Sequence, residues 1–240
     1  MSANFAVNSL TSWAGCKNYF NEDLGGNMLP SFELIMNALV TLFVTIDPVG
    51  NAPIFLGLTV GMSTVARRSV AIRGSVVAFL ILALFAVTGT GILDAMGITV
   101  DAFRVGGGLL LFYTAFEMLY ANRQERKTQV SESALKEHIA NLAVFPLAIP
   151  LLAGPGTISA TIILSSQMTV DGHYWSGTLV LLGLIFCLML LTAVSLMTAE
   201  VLDKYVGDTG KMIFTRLLGV LLAALSVQYV ADGIRGLAAA

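Results

Sequence analysis

Apolar residues fill six long stretches of the chain, 31–62, 74–93, 99–120, 139–167, 176–199 and 213–234, and few charges interrupt any of them. A helix that crosses the hydrocarbon core of a bilayer needs about 20 such residues in succession. Each stretch meets that length or comes close to it. The period-two alternation of barrel strands is absent, so the pattern predicts an all-α integral membrane protein of six transmembrane helices.

Two of the six stretches are broken from within. Asp47, Pro48 and Pro53 lie inside the first, where the nearest other charges are Glu33 and Arg67. Pro146, Pro150 and Pro155 lie inside the fourth, with Gly154 and Gly156 on either side of the last proline. Proline inside a helix removes a hydrogen bond and clashes with the turn before it, whereas at the first helical position it fits well. Asp-Pro therefore reads as a restart: Asp47 is the expected N-cap of a half-helix over about 48–62, and Pro53 the expected position of a second kink. Gly154-Pro155-Gly156-Thr157 marks the equivalent restart in the fourth stretch.

The two breaks belong to a repeat. IDPVGNAPIF (46–55) aligns with AGPGTISATI (153–162) at an offset of 107, ILD (92–94) with VLD (201–203) at 109, and Arg104 and Gly107 with Arg216 and Gly219 at 112. Three matches in one order divide the chain into three-helix halves, 31–120 and 138–236, joined by a loop over 121–137. An odd number of helices per half makes the second half enter the membrane from the opposite face, giving an inverted-topology repeat with discontinuous first and fourth helices.

Charge adds orientation. The first, third and fifth loops with their adjoining helix ends carry Arg67, Arg68, Arg73, Arg123, Arg126, Lys127, Lys136, Lys204, Lys211 and Arg216; the other side has Lys17, Arg104 and Arg235. Ten bases against three predict a cytoplasmic 121–137 loop and extracytoplasmic termini. Residues 1–30 read as a polar extracytoplasmic leader, lacking the apolar core of a signal peptide. Composition agrees: 56% of the 240 residues are hydrophobic, 12% are charged, and mean hydropathy is +0.83. A net charge of −2 suggests no nucleic-acid partner. Cys16 and Cys187 are too few for a disulfide framework or a Cys-rich metal site, and no metal or organic cofactor is expected.

Function follows from the breaks. Irregular backbone at membrane depth is tolerated only where protein or a water-filled cavity surrounds it. Two half-helix N-termini meeting near the midplane would present N–H groups and positive dipole ends to an anionic group such as a carboxylate. Asp47, or the carbonyls released at the breaks, would hold an ammonium. Gly50, Ala52, Gly154, Gly156 and Ser159 are small enough to leave space for a small ligand, and Asn51, Thr157 and Ser159 either line that space or bond between helices. Asp47 has two readings: a ligand or coupling-ion group, as charged residues at this depth often are, or a cap alone. Gly106, Gly107 and Gly108 are read as a close-packing surface rather than a phosphate loop, since no Lys-Ser/Thr follows. Arg104 and Arg216 are read as interfacial anchors, and Glu117 and Glu200 as groups snorkelling at helix ends. His138 and His173 stand at loop edges and no hydrolase motif occurs, so the chain does not read as an enzyme.

LFVTIDPVGNAPIF, followed some 100 residues later by PLLAGPGTISATI on six apolar helices, closely resembles the MarC family of bacterial and archaeal inner-membrane proteins over about 31–236. The resemblance implies a small neutral amino-acid transporter, moving glycine and alanine on a proton or sodium gradient. It places Asp47, Pro48, Gly50, Asn51, Pro53, Gly154, Pro155, Gly156 and Thr157 in a broken-helix site. The expectation is a secondary transporter with a small-molecule substrate in a lipid bilayer, one half rocking against the other. Rival readings are an exporter of another small metabolite and a membrane protein without transport activity.

Overall fold

The computed structural model describes residues 30–120, 143–168 and 174–239. The polar leader ahead of residue 30, the 121–137 loop, Cys16, His138 and His173 lie outside the described residues. Among the described residues every regular element is helical: α1 (Phe32–Ile46), α2 (Pro48–Leu58), α3 (Thr64–Ala95), α4 (Val100–Leu119), α5 (Ala143–Leu152), α6 (Pro155–Met168), α7 (Tyr174–Met197) and α8 (Ala199–Ala239).

Local chemistry sets most of these ends. Ser31, Ser63 and Thr99 cap α1, α3 and α4, each side-chain oxygen accepting the N–H of the residue three positions on. α3 closes in a Schellman turn: Ile98 N–H donates to Leu93 O at 2.9 Å and Gly97 N–H to Asp94 O at 3.0 Å. Gly97 there has a φ of +70°, which glycine adopts without a Cβ penalty. α5 is wound wider than an α-helix, as a π-helix, and Ala153 N–H ends it on Ala148 O five residues back.

Among the described residues five helices are long and apolar enough to cross a bilayer, taking α1 and α2 together as Phe32–Leu58. The fourth predicted stretch is the exception. It is divided into α5, of 10 residues, and α6, of 14, and neither alone reaches the length of a crossing. α8 also departs from expectation in extent: it runs as one helix of 41 residues rather than over 213–234 alone.

Large apolar side chains face outward along the helices, and many polar groups are buried within. Leu80 and Leu84 on α3, Phe186 and Leu190 on α7, and Leu217 and Leu221 on α8 are exposed, while Thr41, Thr45, Asp47, Asn51, Thr157, Thr161 and Ser165 are buried. Such an arrangement suits a hydrocarbon surround, where buried hydroxyls find backbone partners and exposed leucines need no water.

The most extensive contact joins α4 to α8, and its register comes from small residues. A Cβ on Gly108 would lie 3.1 Å from Ser226 O, one on Gly219 3.3 Å from Ala115 O, and one on Gly233 2.7 Å from Asp101 O. These meetings step seven residues along both antiparallel helices, so a small residue recurs at every second turn and the backbones approach closely. Gly108 thus has the packing role expected of it, and Gly107 packs against Ile163 of α6, whereas Gly106 faces open space.

Contacts run mainly between the first and second parts of the chain: α3 with α5, α6 and α7, α4 with α6 and α8, α2 with α7 and α8, and α1 with α6, α7 and α8. Neighbours in sequence touch little; α3 with α4 and α7 with α8 are minor contacts. The two parts interlock instead of forming separate lobes.

Candidate functional site

The first break is one residue wide. Asp47 has φ 54° and ψ 65°, and among the described residues no other non-glycine has positive φ. This left-handed conformation costs an L-residue about 1–2 kcal/mol, least for Asn and Asp. Asp47 both ends α1 and begins α2. Its N–H donates to Phe43 O at 3.0 Å, its carbonyl accepts from Asn51 N–H at 3.1 Å, and its Oδ1 accepts from Gly50 N–H at 3.0 Å. A Cβ on Gly50 would lie 2.7 Å from Asp47 Cγ, so glycine at 50 is what lets the carboxylate fold back over the helix end.

The carbonyls released from the last turn of α1 are taken up by side chains. Pro48 has no N–H to give Val44 O. Thr45 O accepts from Thr157 Oγ1 at 3.4 Å, and Ile46 O from Asn51 Nδ2 at 2.6 Å. On α7, Ser195 Oγ donates to Pro48 O at 3.1 Å. Asn51 is 0% exposed and Asp47 3%. An acid so enclosed is stabilised here by the backbone amide it caps and by the positive end of the α2 dipole.

The second break is built differently. Gly154 occupies the capping position of α6 with no side chain to offer, and its carbonyl accepts from Ile158 N–H at 3.0 Å. Gly154 is needed because a Cβ there would lie 2.7 Å from Pro150 O, and Gly156 because a Cβ would lie 2.8 Å from Thr114 Oγ1 of α4. The Ile149-Pro150 peptide is cis. Thr157 reaches across to the end of α1, which makes the Thr157–Thr45 bond the direct link between the breaks.

Of the ten residues predicted for the site, the structure gathers Asp47, Pro48, Gly50, Asn51, Gly156 and Thr157 into a buried region where both breaks meet. Ser159 is buried but turns toward Gly107 of α4, with its Cβ 3.5 Å from where a Cβ on that glycine would stand. Gly154 is half-buried against its own preceding turn. Pro155 is exposed, and Pro53 lies half-buried inside α2, which continues past it to Leu58. The expectation that Gly50, Gly154 and Gly156 leave space is corrected: the Asp47 carboxylate, Pro150 O and the Thr114 hydroxyl fill those positions. The cap expected of Asp47 is present: at α2 its carboxylate takes up Gly50 N–H.

Sequence reasoning passed over Thr45, Thr114, Ser195 and a polar line leading to the break. Asn37, Thr41 and Thr45 recur every fourth residue along α1, as Thr157, Thr161 and Ser165 do along α6. Thr41 Oγ1 donates to Asn37 Oδ1 at 3.1 Å and lies 3.5 Å from the hydroxyl of Tyr229, which reaches Asn37 Oδ1 at 3.4 Å. The four-residue spacing was a signal on the page; Ser195 and Tyr229 carry none. Among the described residues no group of three or more His, Cys, Asp or Glu side chains is placed to hold a metal ion.

A helical bundle that exposes large apolar side chains, buries many polar groups and carries, among the described residues, five helices of crossing length is a multi-pass integral membrane protein. The chain belongs to the MarC family: the sequence model described as "MarC family integral membrane protein" matches residues 32–238. Similar proteins include UPF0056 membrane proteins of Methanocaldococcus jannaschii (38% identical, covering 82% of this chain and 85% of that protein) and Archaeoglobus fulgidus (36%, covering 82% and 90%). The UPF0056 membrane protein YvbG of Bacillus subtilis is 33% identical, covering 86% and 96%. No solved structure matches the chain.

Proposed function

We propose that the protein is a secondary transporter of small neutral amino acids, glycine and alanine, driven by a proton or sodium gradient, and not an enzyme. The observation that carries this reading is the meeting of two helix breaks inside the bundle, joined by the Thr157–Thr45 bond beside an aspartate 3% exposed. A helix interrupted at membrane depth costs stability, and two interruptions brought together are the usual construction of a transporter site. The N-terminus of α6, without a capping side chain, suits a substrate carboxylate; Asp47 and the carbonyls at the end of α1 suit an ammonium or the coupling ion.

Six crossings arranged as inverted halves, 31–120 and 138–236, fit the reading, with α5 and α6 together making the fourth. Helix contacts support this pairing, because exchanging the halves turns one contact into another: α4 with α6 becomes α8 with α2, and α3 with α5 becomes α7 with α1. The ten-to-three distribution of bases supports extracytoplasmic termini in the inner membrane. The interlocked halves favour movement of the broken helices against α3, α4, α7 and α8 over rocking of one half on the other.

The test is uptake of labelled glycine and alanine into proteoliposomes under an imposed proton or sodium gradient. The expected result is accumulation that collapses when the gradient is dissipated and that excess unlabelled alanine competes away. Failure of both labels to move under both gradients, with folded protein in the bilayer, sinks the substrate claim; movement of another small metabolite alone would favour the exporter reading.

A further inference from the structure

Both ends of the broken helix are tied to the same partner. At one end of the bundle, Asn37 and Thr41 of α1 meet the hydroxyl of Tyr229 on α8, a side chain 2% exposed. At the other end, Arg67 in the first turn of α3 forms an ion pair with Glu200 in the first turn of α8, and its Nη2 donates to Thr59 O, the residue that closes α2, at 3.4 Å. Chain direction puts these ties at opposite ends: α1 and α2 run from Asn37 toward Thr59, while α8 runs back from Glu200 toward Tyr229. Asp47 lies between them, ten residues from Asn37 and twelve from Thr59, or about 15 Å and 18 Å along the helices at 1.5 Å per residue.

We propose that α1 and α2 are two gate arms hinged at the left-handed Asp47, each latched to α8 at its far end, and that releasing one latch opens the site to one face of the membrane only. The inference rests on the transport reading and adds how access to that site is controlled. A single residue outside helical geometry joins the arms, so each can swing without unwinding the other. The latches differ in chemistry. The Arg67–Glu200 pair is accessible, with side chains 17% and 65% exposed, and yields to salt; the Tyr229 hydroxyl cluster is buried and does not. With both formed and Asp47 enclosed, the structure is the occluded state of such a device.

The test reads accessibility, not transport. In a protein whose Cys16 and Cys187 are replaced by serine, Val49→Cys, half-buried in the first turn of α2, reports opening through its rate of reaction with a membrane-impermeant maleimide added to one face at a time. Glu200→Gln is expected to raise labelling from one face by roughly two- to fivefold, the range that an exposed ion pair supports. Tyr229→Phe is expected to raise labelling from the opposite face by roughly fivefold, since it removes the buried hydroxyl that meets Asn37 and Thr41 of α1. The conservative change Arg67→Lys, which keeps a cation able to donate to both Glu200 and Thr59 O, should leave the rate within about twofold of the parent, which separates a lost latch from a misfolded end. Acceleration from the same face in both variants, from neither face, or no reaction of Val49→Cys in any variant overturns the proposal. Side-specific labelling without amino-acid flux would instead leave the gate standing and remove the cargo reading.

Discussion

Replacing Asp47 separates the backbone role of this residue from its charge. Asp47→Ala removes the Oδ1 acceptor of Gly50 N–H, a loss of about 1 kcal/mol for an N-cap, and leaves a β-carbon at φ 54° with no local hydrogen bond, about 1–2 kcal/mol more. The sum is about 2–3 kcal/mol of destabilisation. Asp47→Gly loses the same cap but relieves the left-handed strain, so its net cost is a few tenths of a kcal/mol. Asp47→Asn keeps an acceptor oxygen and a residue type tolerant of this conformation, while removing a charge from the interior; it should be as stable as the parent or more so.

The expected order of stability is therefore Asn, then Gly, then Ala. Reversible unfolding in mixed micelles, followed by circular dichroism, measures it. If the alanine variant is as stable as the glycine variant, residue 47 does not occupy the left-handed region and the hinge argument collapses. If asparagine is as damaging as alanine, the charge and not the cap sustains the break. With stability retained, loss of gradient-dependent uptake in Asp47→Asn assigns the carboxylate to coupling; full uptake assigns it to structure alone.

Gly50→Ala should cost about 2 kcal/mol, because its Cβ meets the Asp47 carboxylate; in an Asp47→Gly background the same change should cost much less, and an unchanged cost in that double-mutant cycle would refute the contact. Gly106→Ala, which meets open space, should be neutral or stabilise by up to about 1 kcal/mol through helix propensity, whereas Gly108→Ala, which forces α4 from Ser226 O, should destabilise by about 1–3 kcal/mol in the same unfolding assay. Thr157→Val removes a 3.4 Å bond, so stability should change by less than about 1 kcal/mol, while the KM for alanine should rise about tenfold if this hydroxyl faces cargo; an unaltered KM takes Thr157 out of the site.

Much of this arrangement was legible in the chain because membrane depth punishes exceptions. An apolar run accommodates an Asp-Pro pair only where something else satisfies the freed groups, so Asp47, Pro48 and Gly50 announced a break, and the matching Gly154-Pro155-Gly156 announced its counterpart. What the pattern withheld was what fills the break. Glycine reads the same whether it leaves a cavity or admits a neighbour, and only the backbone shows that Pro150 O and Thr114 stand where ligand space was expected. The extent of the helices was similarly hidden: charge at Lys204 and Lys211 suggested a loop, yet α8 continues through both.

The asymmetry between the breaks gives the site its direction. At α2 the chain supplies its own anion, the Asp47 carboxylate, to the helix end; at α6 the corresponding position is Gly154, which supplies none. On the proposed transport reading the two breaks thus carry opposite chemical needs, the α2 end holding its own carboxylate and the α6 end suiting a negative group. A ligand bearing both a carboxylate and an ammonium matches that difference with its own polarity: carboxylate toward α6, ammonium toward Asp47 and the carbonyls of α1. Thr157, in the first turn of α6, is the side chain that bonds across to Thr45 O. It joins the first turn of α6 to a carbonyl at the end of α1, the two kinds of group that a zwitterion of the proposed class would bridge.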